Sequence, residues 1–168
     1  MNPQKDNTIT IKKAKRRDVP LILSLIKDLA DFEKLSHDVV ATEKDMYKNL
    51  FGQKKFAEVL IGYYDKKPAG MALFFHNYST FEGKPGIYLE DLYVKPEFRG
   101  KGIGKSLLLK LIKIAGKRKC GRVEWEVLDW NRSAIDFYTK LGAKCMDQWK
   151  IFRLTKDQIH KINDQQIV

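Results

Sequence analysis

Arg99-Gly100-Lys101-Gly102-Ile103-Gly104-Lys105-Ser106 lies between an apolar run and a helix-forming stretch, and its reading decides the fold. Three alternating glycines permit backbone with positive φ and close approach of an anion. The start of the following helix adds unpaired N–H groups and a partial positive charge. With Arg99, Lys101 and Lys105 alongside, the segment reads as a diphosphate cradle. Two other phosphate motifs fail on spacing. A P-loop needs glycine five residues before Gly104-Lys105-Ser106, where Arg99 stands. A dinucleotide fingerprint needs its third glycine at position 105, which is lysine.

Working outward, Gly86 to Val94 carries Ile87, Leu89, Leu92 and Val94 and predicts a strand leading into the turn. Beyond it, Ile103, Leu107, Leu108, Leu111, Ile112 and Ala115 form one helical stripe. Upstream, Thr8 to Lys13 alternates as a half-buried strand, and Asp18 is placed to cap a helix bearing Leu21, Ile22, Leu25, Ile26 and Leu29. Thr42 and Asp45 resemble a capping box opening a short helix that ends near Phe51 and Gly52. Glu58 to Tyr64 and Ala69 to Asn77 read as a hairpin joined through Asp65 to Pro68. Downstream come a strand (Arg122 to Leu128), a helix (Ser133 to Lys140) and two apolar segments, Ala143 to Met146 and Trp149 to Leu154. Strands that first meander and then alternate with helices predict an α/β (α+β) fold: a mixed, largely antiparallel twisted sheet with helices on both faces.

A chain of 168 residues fits one domain, with a core over residues 8–160 and frayed ends at 1–7 and 163–168. No apolar run reaches the length of a membrane span, and the polar amino terminus lacks a signal-like segment, so a soluble, cytoplasmic protein is expected. Cys120 and Cys145 are read as reduced thiols, and the scattered His37, His76 and His160 give no metal site. A net charge of +11 calls for an anionic partner, although the basic residues are dispersed, as in Lys12, Lys13, Lys15, Arg16 and Arg17.

Arg99-x-x-Gly102-x-Gly104 resembles the acetyl-CoA pyrophosphate motif of the GNAT acetyltransferase superfamily. Its setting narrows the resemblance. Tyr88-Leu-Glu-Asp-Leu-Tyr-Val94 precedes it, and Asp129-Trp-Asn-Arg-Ser-Ala-Ile-Asp-Phe-Tyr-Thr-Lys-Leu-Gly-Ala143 follows. These blocks are similar to the diamine (spermidine/spermine) and thialysine acetyltransferases, as are Leu25-Ile-Lys-Asp-Leu-Ala-Asp-Phe-Glu33 and Thr42-Glu-Lys-Asp45. The resemblance covers roughly residues 8–160. It implies the GNAT fold and direct acetyl transfer from acetyl-CoA, the acetyl-donating co-substrate, to a primary amine of a small cationic acceptor, without a metal. It further implies that Leu92, Tyr93 and Val94 on a bulged strand, the segment Arg99, Gly100, Lys101, Gly102, Ile103, Gly104 and Lys105, and Asn131, Ser133, Ala134 and Tyr138 contact the coenzyme.

An alkylammonium of pKa near ~10.4 is neutral in only about one molecule per thousand at physiological pH, so the acceptor's proton must be removed. By resemblance Glu90 accepts it and Tyr138 donates to the departing thiolate. Asp91 is an alternative acceptor, because adjacent strand residues share a pocket only where a bulge intervenes. Phe32, Glu33, Glu90, Asp91 and Glu126 are the expected acceptor contacts, whereas Asp28 and Asp31 are read as solvated helix residues. Ser79-Thr-Phe81 and Val127-Leu-Asp-Trp130 look more like the thialysine branch than the polyamine branch. The alternatives are acetylation of a protein or peptide amine and, from another class, a nucleic-acid-binding module on this fold, for which no recognition motif is present. The resemblance also implies a homodimer to which carboxyl-terminal strands contribute.

Overall fold

The computed structural model describes residues 8–165, so residues 1–7 and 166–168 of the expected frayed ends lie outside the described residues. Five strands form one sheet in the order β1-β2-β3-β4-β5: Ile9–Lys13, Glu58–Tyr64, Lys67–Ser79, Lys84–Val94 and Val123–Trp125. The first three pairings are antiparallel, and β4 and β5 are parallel, joined through helix α3 (Ile103–Lys117). Helices α1 (Val19–Phe32) and α2 (Glu43–Phe51) precede β2, and α4 (Arg132–Lys140) and α5 (Lys156–Asp164) follow β5. The backbone divides into two compact units, the first ending at Glu126 and the second beginning at Val127.

Strand alternation explains the two covered faces of the first unit. Val59, Ile61, Met71 and Tyr93 pack with Val19, Ile22 and Leu25 of α1 and Met46 and Leu50 of α2. The opposite face belongs to α3, whose Ile103, Leu107, Leu108 and Leu111 are fully enclosed. Gly62 sits under this helix: a Cβ there would lie 2.9 Å from Ile103 Cγ2 and 3.4 Å from Leu107 Cδ1. The absence of a side chain at that point lets the first turns of α3 settle on the sheet.

Local chemistry sets several boundaries. The Thr42/Asp45 capping box of α2 forms in both directions. Asp18 precedes α1 but does not cap it with its side chain; its Oδ2 accepts instead from the Lys15 amide at 2.7 Å, closing a 3-10 turn over Arg16–Asp18. The β2–β3 turn is tighter than expected. It consists of Asp65 and Lys66, both at positive φ, and Pro68 already lies in the strand.

In the second unit Asn131 caps α4, its Oδ1 accepting from the Ala134 amide at 3.2 Å. The β5 strand is shorter than the expected Arg122 to Leu128, and no strand occurs between Ala143 and Leu154 among the described residues. The expected carboxyl-terminal strands are therefore not found there. Helix α5, which includes Asn163 and Asp164 of the expected frayed tail, begins with a Thr155/Gln158 capping box. That Thr-x-x-Gln spacing was readable in the sequence and was missed.

Substituting Gly62 with alanine is expected to overpack the α3 seat and destabilise the protein by about 1–3 kcal/mol. Urea unfolding monitored by tryptophan fluorescence measures this, and an unchanged midpoint would show that α3 does not depend on that close approach.

Candidate functional site

The site begins with a break in the β3–β4 ladder. Leu73 pairs with Asp91 and Phe74 with Leu89, which leaves Glu90 as an extra residue on β4. This bulge has a geometric result. Residues 89 and 92 would face opposite sides in a regular strand, yet Leu89 pairs with Phe74 and Leu92 with Ala72, two residues on the same face of β3. Asp91 and Tyr88, opposite Leu73 and Phe75, are thereby brought to the α1 side. The expected bulge is thus present, and it lets Asp91 share a face with the residues around Glu90.

Strand β5 pairs with β4 only from Ile87 to Leu89. From Glu90 to Val94, β4 has a ladder partner on the β3 side, and no described strand pairs with its other edge. Backbone N–H and C=O groups of Leu92, Tyr93 and Val94 lie along this splayed segment.

On the α1 side, carboxylates collect around Asp91. Burial, with Glu90 and Glu33 nearby, raises its pKa to about 7. Glu33, at the carboxyl end of α1, is also raised by burial. The Tyr88 hydroxyl donates to Glu126 Oε1, and burial together with Glu126, Glu90 and Glu124 holds that phenol strongly protonated. Four of the expected acceptor contacts, Glu33, Glu90, Asp91 and Glu126, therefore share one electrostatic neighbourhood. Tyr88 belongs with them and was missed as a site residue. The signal was present: apolar positions switch from Ile87 and Leu89 to Leu92 and Val94, and Tyr88 alternates with the first pair, which places it on the face that Asp91 joins after the bulge.

Phe32, the fifth expected contact, stands beneath the Arg99 guanidinium, 4.4 Å from its ring centroid. Arg99 also donates from Nε to the Val94 carbonyl at 3.0 Å. It thereby ties the end of α1 to the end of β4. Lys101 likewise lies 4.7 Å over the Tyr64 ring. The glycines behave as anticipated: Gly100 and Gly102 have φ of 74° and 84°, and a Cβ at Gly100 would meet nothing within 4 Å. Gly102 is the N-cap of α3, and Ser106 N–H is the amide that bonds its carbonyl. The amides of Ile103, Gly104 and Lys105 precede that first helical bond, as an anion-binding helix start requires.

Beside Tyr93, Asp28 and Asp31 join Lys95, Pro96 and Glu97 around a cleft of about 290 Å³. Asp31 is exposed and Asp28 partly so, in keeping with solvated helix residues, and both lie at this one opening. In the second unit, Asn131, Ser133, Ala134 and Tyr138 lie together at α4 and its cap. Burial pushes the Tyr138 phenol up to about 12, and its ring lies 5.2 Å from that of Phe137.

Comparison with known proteins adds sequence evidence to this geometry. Residues 25–143 match the Acetyltransferase (GNAT) family. The chain is 36% identical to the thialysine N-epsilon-acetyltransferase of Bos taurus, over 92% of this chain and 96% of that protein. It is 33% identical to an L-ornithine N5-acetyltransferase of Arabidopsis thaliana, over 91% and 87% respectively. A crystal structure of an aminoglycoside acetyltransferase from an uncultured soil metagenomic sample superposes with a TM-score of 0.75, covering 89% of this chain and 97% of that one at 21% identity.

A carboxyl whose pKa rises on folding is charged at an energetic cost. Its folded form is unhindered below the unfolded value near 3.8 and loses stability as pH climbs through about 7. Asp91→Asn is expected to stabilise the protein on the order of 2–4 kcal/mol at pH 8 and to do little at pH 4. Chemical denaturation at the two pH values tests the sign, and equal effects at both would contradict the electrostatic origin.

Proposed function

Since the chain belongs to the acetyltransferase (GNAT) family and is an acetyl-CoA-dependent N-acetyltransferase, we propose that it acetylates a terminal primary amine of a small amino-acid-like or diamine acceptor directly, with Asp91 taking the acceptor's proton. The observation that carries this is the placement of Asp91 by the β4 bulge, largely buried and beside Glu90 and Glu33, surroundings that raise its carboxyl to about 7. Thialysine and ornithine, the substrates in its relatives' names, both end in such an amine.

Proton transfer from an ammonium near ~10.4 to an ordinary aspartate is steeply uphill. Lifting the acceptor from 3.8 to about 7 removes about 4 kcal/mol of that deficit. This moves the preference from Glu90, exposed on the bulge, to its neighbour. Glu90, Glu33 and Glu126 then serve to hold the acceptor's positive charge, with Phe32 lining its chain. Acetyl-CoA supplies the activated acetyl group. For its diphosphate we assign the amides and side chains of Arg99, Gly100, Lys101, Gly102, Ile103, Gly104 and Lys105, and for its arm the splayed backbone of Leu92, Tyr93 and Val94. Asn131, Ser133 and Ala134 are the remaining coenzyme contacts in this reading. Tyr138, kept protonated by burial, provides the leaving thiolate's proton.

The mixed charges of the cleft at Tyr93 favour an amino-acid acceptor over a simple diamine. Asp28 and Asp31 suit an α-ammonium, and Lys95 suits an α-carboxylate. A chain of net charge +11 also repels a polycation at long range. The reading includes a cytoplasmic homodimer. Free Cys120 and Cys145 fit a reducing compartment, and exposed Met146, Trp149 and Phe152 offer apolar surface for a second copy to cover.

Coenzyme A release is expected to give kcat/KM that falls as pH drops below about 7. Asp91→Asn should erase that inflection and lower turnover by about 10² or more, as should Tyr138→Phe for turnover. Retention of the inflection in Asp91→Asn would remove Asp91 from the mechanism. Lys95→Ala is expected to lower kcat/KM about tenfold for ornithine or thialysine while sparing 1,3-diaminopropane; equal losses for all three would remove the carboxylate contact.

A further inference from the structure

The positive charge of the chain is not used up by the coenzyme cradle. At the open edge of the sheet, Lys12, Lys13, Lys15 and Arg17 of β1 and the turn after it meet Lys66 of the β2–β3 turn around a cleft of about 330 Å³, with Thr10, Tyr63 and Asp18 completing the wall. Thr10 and Lys12 alternate with Ile9 and Ile11. Ile11 Cδ1 lies beside Gly62 under α3, and Ile9 Cδ1 approaches Gly102. The cleft therefore opens on the face of the sheet opposite the glycine turn, and a coenzyme seated on that turn would leave it accessible.

Its few acidic groups are already engaged. Lys13 is bound to Glu58 at 2.7 Å, and Asp18 accepts from the Lys15 amide. Among the described residues no salt bridge reaches Lys12, Lys15, Arg17 or Lys66. Lys12 Nζ lies 5.4 Å over the Tyr63 ring, and that phenol is held protonated by burial, leaving it a donor.

The backbone supplies a second, independent observation. Asp65 and Lys66 form a two-residue turn with φ of 46° and 66°, between the paired residues Tyr64 and Lys67. Such a turn strongly favours Asn or Asp followed by glycine. Asp65 fits, and it is further fixed by the Thr8 amide, which donates to its Oδ1 at 3.0 Å. Lysine at 66 occupies a left-handed conformation that costs an L residue energy and that glycine adopts freely. Its cation is held in the cleft at the expense of the turn. Strain of this kind collects at binding sites.

We infer that this cleft is a binding site for a small polyanion carrying a di- or triphosphate, separate from the acetyl-CoA site. Four cations without a salt-bridge partner among the described residues, a phenol donor and the Thr10 hydroxyl match clustered phosphate oxygens, and the volume suits a small molecule.

The test uses the full chain saturated with coenzyme A, titrated with inorganic triphosphate by calorimetry at low and physiological salt. One triphosphate per chain is expected, bound more weakly at the higher salt. Lys66→Gly should weaken it about tenfold while raising the melting temperature of the unliganded protein, a pairing that a merely structural lysine would not give. Lys12→Ala with Lys15→Ala should abolish it and leave coenzyme affinity unchanged. No binding once coenzyme is saturating, or equal binding by Lys66→Gly, would overturn the site. So would tight binding of single-stranded RNA that triphosphate fails to displace, because the cleft would then belong to a nucleic-acid surface.

Discussion

One residue too many on β4 governs the chemistry of the first unit. The bulge at Glu90 lets Leu89 and Leu92 both face α3, so the core under that helix stays continuous, and it brings Tyr88 and Asp91 to the face covered by α1. A regular strand could not do both. With period-two alternation, either Leu92 would leave the α3 core or Asp91 would leave the carboxylate group. Where β5 stops pairing at Leu89, the same stretch becomes an open backbone edge next to a titrating side chain. An open backbone edge and a carboxyl raised toward neutrality thus lie side by side on one strand.

The electrostatics follow from that placement. The chain as a whole is strongly basic, yet Glu33, Glu90, Asp91 and Glu126 gather where the strand is broken. Burial makes the ionised form of Asp91 costly, Glu90 and Glu33 add to that cost, and it appears as a pKa near neutrality. The arrangement opposes stability, as functional sites often do. Among the described residues no salt bridge joins a cation to Glu33, Glu90, Asp91 or Glu126, and Arg99 is engaged by the Phe32 ring and the Val94 carbonyl. That leaves a positively charged acceptor as a natural counterion for the group.

The parts of this protein legible in the sequence are those with local causes. Alternation in Thr8 to Lys13, the apolar stripe from Ile103 to Ala115 and the Thr42/Asp45 box each describe an element within its own residues, and each forms close to where it was expected. The mixed sheet followed from the order of those elements. Less legible was anything set by partners distant in sequence. The seat of Arg99 on the Phe32 ring joins residues far apart in the chain. That Asp28 and Asp31 share an opening with Tyr93 and Lys95 is likewise set only by folding. Tyr88 alternates regularly with Ile87 and Leu89, but its partner Glu126 lies 38 residues away. Asp18 was expected to cap α1 and closes the preceding turn instead, two hydrogen-bonding options that composition alone does not separate.

The glycine turn shows how stability and function become inseparable in a small fold. Ile103 is both the first residue of α3 and a fully buried member of the core, seated against the bare backbone of Gly62. The amides offered at the helix start are consequently held in place by hydrophobic packing beneath them rather than by the loop itself. Burial of such a side chain contributes about 1.5–3 kcal/mol, enough to hold a short glycine-rich turn whose own conformational preference is weak. Gly102 at φ 84° converts that fixed position into an abrupt change of chain direction, exposing the amides of Ile103, Gly104 and Lys105 to one side. Amides fixed at a helix start carry partial positive charge of their own, so the turn keeps that potential while Arg99 and Lys101 rest on aromatic rings.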